Sequence, residues 1–168
     1  MFRRHRSPRR GQALVEFALA LPVLILILVA VFDVGRAVFL YNSLTNAARE
    51  GARLAIVNQD KSLVANRVQA VAFSGAVSNA GNLNDLVSFY LQNPNQTDPT
   101  ANPQCTSIAV GCIAVVTARS DWQPITPIIG NVLGPIQFAA RTELPVELVC
   151  PNSTVPAYTT SASCPRQP

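Results

Sequence analysis

Glu16 holds the position in this chain that most needs a chemical explanation. It stands inside the longest apolar run, Ala13 to Phe32, and is the only ionisable group there. A carboxylate in such a run costs about 2.5–3.5 kcal/mol at the centre of a bilayer, and less near the interface. It needs a partner for its charge, and finding that partner is a question about function. Five arginines, Arg3, Arg4, Arg6, Arg9 and Arg10, lead up to Gly11 just before the run. Lys and Arg stay on the cytoplasmic side of a span, so this cluster is a topology signal.

Other chemistry-bearing residues are few. His5 is the only histidine and lies in the same basic segment, which leaves no histidine triad or histidine metal site for the rest of the chain. Cys105, Cys112, Cys150 and Cys164 include no C-x-x-C pair, so zinc spacing is absent. All four lie beyond the apolar run, on the side the arginines assign to the exterior, where disulfides are expected. Pairing Cys105 with Cys112 and Cys150 with Cys164 is preferred, because each pair brackets a short segment. Closing a loop of about 15 residues contributes roughly 3 kcal/mol in the chain-entropy model. Asp121 with Glu143 or Glu147 could form an acid–base pair, but nothing in the sequence brings them together, and catalysis is not expected. No metal or cofactor is expected either.

The elements that must position these residues follow from periodicity. Ala13 to Phe32 is about 20 residues, enough helix for a hydrocarbon core of roughly 30 Å. Beyond Asp33 the apolar or small residues Ala37, Leu40, Tyr41, Leu44, Ala47, Ala48, Gly51, Leu54 and Ala55 recur at helical spacing. One helix from about Ala13 to Val57 would be roughly 68 Å long. Pro22 removes a donor, so a kink or local melting is expected over Ala18–Pro22. The small cluster Ala47, Ala48, Gly51, Ala52 and Ala55 allows close backbone approach, and packing against the chain's own domain is preferred over an intersubunit contact.

Asn58-Gln59-Asp60 breaks the pattern. Helical spacing resumes from Lys61 to Val77, and Leu83 to Leu91 forms a shorter apolar-rich segment. Asn93 to Gln104 reads as a loop, and Ser107 to Ala118 as β-rich with a turn or bulge at Gly111. Asp121 to Pro135 reads as a connection with one helical turn. Ile136 to Leu148 reads as a strand or strand pair interrupted at Pro145. Thr159 to Ser163 is a polar tail that need not pack. There is no internal repeat.

The run Arg9-Arg10-Gly11-Gln12-Ala13-Leu14-Val15-Glu16-Phe17 resembles the processing site of type IV pilin-like precursors. With Asp33-Val34-Gly35-Arg36 and Asn46-Ala47-Ala48-Arg49-Glu50-Gly51-Ala52-Arg53, it resembles the TadE-like minor pseudopilins of the tight-adherence (Tad/Flp) pilus machinery. The resemblance covers residues 9 to 57. It implies cleavage between Gly11 and Gln12 by a prepilin peptidase, an aspartic protease of the bacterial inner membrane. It also implies an N-terminus in the cytoplasm, assembly roles for Glu16 and Phe17, and a mature protein at the pilus or cell surface. The implied partners are other pilin and pseudopilin subunits, the Tad assembly platform and membrane lipid.

Cutting after Gly11 changes the meaning of the net charge of +4. It removes five of 13 Lys+Arg, leaving eight against nine Asp+Glu. The mature chain is then close to neutral, so no nucleic-acid partner is expected, and no small-molecule substrate. The expected fold is α+β and pilin-like, with a basic leader (1–11) and a long helix (12–57) that lies in the membrane over about 13–34 and is amphipathic over 35–57. A small extracytoplasmic domain (58–148) follows, with one or two helices and a short, mainly antiparallel sheet, and then a tail (149–168) closed by a disulfide. The alternative is an uncleaved signal anchor presenting a small extracytoplasmic binding domain. A secretory signal peptide fits poorly, because the run is long and no good small-x-small site follows it.

Overall fold

A computed structural model of the chain describes residues 9–73, 77–126, 130, 134–152, 154 and 156–165; of Arg9, Arg10 and Tyr158 it describes the backbone. Helix α1, Arg9–Ala55, has 47 residues and is about 70 Å long at 1.5 Å per residue. It is continuous through Pro22, so the melting expected over Ala18–Pro22 does not occur. Proline removes one backbone donor, and the helix-forming turns on both sides carry the ladder across it.

Helix α2, Lys61–Val71, starts at Asp60, whose carboxylate accepts from the Ser62 amide at 2.9 Å and the Ser62 hydroxyl at 2.6 Å. These bonds hold the Asp60 carboxyl below its ordinary pKa, with the Ser62 hydroxyl the largest cause. Val64, Ala65 and Val68 of α2 are buried in one core with Ala47, Ala48, Ala52 and Ala55 of α1. A Cβ on Gly51 would lie 2.3 Å from Val68 Cγ2 and 3.2 Å from Val116 Cγ1. The small cluster therefore serves the chain's own domain. The expected helix to Val77 stops six residues short: Ala72 turns extended, and the Phe73 amide leaves the ladder for Ser43 Oγ at 2.7 Å.

The Leu83–Leu91 segment divides into a short helix α3, Leu83–Leu86, and strand β1, Val87–Leu91. Its second half alternates, with Val87 and Phe89 buried and Ser88 and Tyr90 between them, which is strand periodicity. Strand β2, Cys112–Trp122, runs past the expected end at Ala118 because the buried alternation Ala114, Val116, Ala118, Ser120, Trp122 continues. Asp121 thus belongs to a strand and not to the connection that follows. Strand β3, Ile136–Pro145, is a single strand that ends at Pro145. The sheet is antiparallel in the order β1-β2-β3, with Phe89 opposite Ala114 and Ala118 opposite Ala140. One face packs on α1. Over the other, the loop 93–104 returns along β1, where Tyr90 bridges Gln104, and Asp98 reaches Arg141 on β3 at 2.6 Å. Gly111, at φ +104°, makes the turn into β2, a conformation glycine adopts without steric cost.

The end of α1 is a polar hub. Asn58 is fully buried and donates to the Ser161 carbonyl at 3.0 Å. The Gln59 amide side chain donates to Leu148 O at 2.8 Å and accepts from Cys150 N at 2.7 Å. Cys150 and Cys164 are joined and buried, and Cys105 is joined to Cys112, so both preferred pairings are present. In the tail that need not pack, Thr159, Thr160, Ala162 and Ser163 are exposed, and the Ser161 carbonyl alone reaches in to satisfy the buried Asn58 amide.

Candidate processing and assembly surface

The expected cleavage junction lies in the first turn of α1. A Cβ on Gly11 would meet nothing within 4 Å. Arg3, Arg4 and Arg6 lie outside the described residues, as do the side chains of Arg9 and Arg10. One turn on, Gln12 Nε2 donates to Glu16 Oε1 at 3.1 Å on the exposed surface. Glu16 thus has an own-chain partner, and that partner is an amide rather than a cation. Phe17 is 61% exposed beside it. The apolar side chains that follow project from the helix without packing on the domain, and α1 is the one helix among the described residues long and apolar enough to cross a membrane.

Where the span ends, the chain makes a contact that sequence reasoning did not assign. Asp33 is 3% exposed. Its carboxylate accepts from Ile125 N at 3.0 Å, Thr126 N at 2.8 Å and Thr126 Oγ1 at 2.5 Å, with Arg36 at 3.5 Å. This clasp fixes the loop after β2 to α1. The available signal was a lone acid closing an uncharged run, with an arginine three residues later. Beside it, Val31, Phe32, Gly35 and Phe39 of α1 face Phe73 and Trp122 across an open groove of about 860 Å³.

The imagined acid–base pair does not form. Asp121 stands opposite Gln137 and accepts from its side chain, whereas Glu143 stands opposite Val115, about 20 Å along the ladder at 3.4 Å per residue, and Glu147 lies beyond β3. Glu143 instead pairs with Arg141. Among the described residues, no three His, Cys, Asp or Glu side chains gather as metal ligands would.

Residues 11–53 match the family model described as TadE-like protein. The likeness to TadE-like proteins is confined to the N-terminal helix. The match starts at Gly11 and takes in the apolar run, Asp33 with Arg36, and the small residues Ala47, Ala48, Gly51 and Ala52, and ends before α2 and the sheet. Neither a curated protein nor a solved structure matches the chain. The match covers 43 of the 168 residues, all within α1, and with the length and apolarity of that helix it fits a membrane-anchored chain.

Proposed function

We propose that the chain is a minor pseudopilin, a substrate of prepilin peptidase and a structural subunit of a Tad/Flp pilus with no turnover of its own. The observation that carries this reading is the unobstructed Gly11 at the head of an exposed apolar helix, where the TadE-like match begins. The arginines keep the N-terminus in the cytoplasm, and the peptidase cuts between Gly11 and Gln12 at the inner membrane. The domain then stands outside, in the compartment where its two disulfides form. Once released, Gln12 carries a new α-amino group one helical turn from Glu16. That amine on a neighbouring subunit supplies the cation that the Gln12 side chain does not, and the pair draws subunits into register.

Gly11→Val tests the cut. The variant should accumulate as full-length precursor in the membrane, whereas wild type yields a chain beginning at Gln12 by N-terminal sequencing. Equal processing of both would remove the assignment and leave the uncleaved signal anchor. Glu16→Gln tests assembly: the variant should be inserted and cleaved but missing from sheared pili.

A further inference from the structure

The apolar surface of the span does not stop at Asp33. Val34, Val38 and Phe39 are exposed beyond it, and Phe73 and Ile125 of the domain, 59% and 66% exposed, lie at the same end. Asp33 does not interrupt this surface, since its carboxylate is turned into the clasp with Ile125 and Thr126. The groove beside it continues the span, with Val31, Phe32, Gly35 and Phe39 on the α1 wall and Phe73 and Trp122 opposite. Phe39 and Phe73 meet edge to face at 5.0 Å, so the two walls touch at that point.

Depth fits the same conclusion. Ala13 to Phe32 fills a hydrocarbon core of about 30 Å, and Phe39 lies about 10 Å further along the helix. That puts the groove in the headgroup layer, where aromatic rings concentrate and long cationic side chains reach outward. Arg36 lines the groove at the α1 wall and Asp121 at the β2 wall; the Arg36 side chain is 50% exposed and 3.5 Å from Asp33, which leaves donors free to face outward. In water, the same patch would be an exposed apolar surface of a kind monomeric domains rarely keep.

We infer that the groove seats a membrane phospholipid, with an acyl chain between α1 and the end of β2 and the phosphate toward Arg36. The lower end of the domain is thereby set into the headgroup layer instead of standing clear of it. The inference rests on α1 being a membrane span and does not depend on where the chain is processed.

Trp122 lines the groove and is the only tryptophan in the chain, so its fluorescence reports the site. The test is the full-length protein in phosphatidylglycerol and phosphatidylcholine vesicles whose acyl chains carry bromine near the headgroup. Trp122 should be quenched by more than half at low protein density. Gly35→Leu should cut that quenching at least twofold, because a side chain at position 35 starts in open space on the groove wall. Unquenched emission from protein retained in alkali-washed vesicles would overturn the proposal while leaving the span intact. Equal quenching in Gly35→Leu would overturn the groove as the seat. Quenching that fades as protein density rises would hand the groove to a second copy of the chain. Loss of the protein from washed vesicles would remove the span and the lipid seat together.

Discussion

In its first half α1 carries large side chains left exposed, Leu14, Phe17, Leu19 and Leu24 among them; in its second half it carries small ones that are buried, Ala47, Ala48, Ala52 and Ala55. The backbone is the same throughout, whereas the first half is apolar on every face and the second on one face only. Among the apolar residues themselves, what differs is side-chain volume. The first half meets fluid lipid, which adapts to any bulk, so size is free and hydrophobicity is what counts. The second half meets α2 and the sheet at fixed distance, so volume there is set by Val64, Val68 and Val116.

Breaking the fixed half should have the largest effect. Gly51→Leu drives a side chain into Val68 and Val116, and overpacking of this kind costs about 3 kcal/mol at the upper end of its usual range. Urea unfolding of the detergent-solubilised full chain, followed by Trp122 emission, should show a loss of that size. Gly35→Leu, on the same helix with open space at its Cβ, should leave the midpoint unchanged or slightly raised. Equal losses in both would mean that the two halves share one packing rule.

Next comes the staple at the far end of the domain. Replacing Cys150 and Cys164 together with Ser opens a loop of sequence separation 14 and should cost about 3 kcal/mol. Amide exchange at Gln59 should quicken, because its hydrogen goes to the Cys150 carbonyl. The clasp at the boundary between the halves should matter somewhat less. Asp33→Ala strands two backbone donors and a hydroxyl, a loss of about 2 kcal/mol. Its signature is local: faster exchange at Ile125 and Thr126, with α2 unaffected.

How much of this was readable from sequence follows the same division. The long helix was legible because its residues repeat at helical spacing for tens of positions, and the disulfides because short brackets leave little choice. Strand β1 was obscured because Leu86 is helical and Val87 extended, so the apolar letters run together across a change of period. The end of α2 depended on Ser43, thirty residues away, capturing the Phe73 amide. The Asn58–Gln59 hub looked like a break because its partners, Leu148, Cys150 and Ser161, lie far down the chain. At the candidate surface, Gly11 and Glu16 could be singled out by type and spacing. Asp33 stood out as a lone acid closing the run, but its partners could not be read, since they depend on where the loop after β2 comes to rest.

The smallest effect sharpens the comparison on the opposite face of the sheet. Asp98 lies in the loop that covers this face, and its carboxyl is held down at about 2, against an ordinary 3.8. The Arg141 guanidinium is the largest cause, followed by the Thr100 hydroxyl and amide. A depressed folded pKa means the stabilisation is complete above the unfolded value and disappears as pH falls toward the folded one. The loop should therefore loosen between about pH 4 and pH 2, while the α1–α2 packing, which is apolar, should not respond. Because Asp98 is largely exposed, the effect is modest and screened by salt. Protection of the Thr100 amide, taken against the intrinsic exchange rate at each pH, should fall over that window in wild type and be already low and flat with pH in Asp98→Asn. A pH dependence surviving in the variant would assign the transition to another carboxylate.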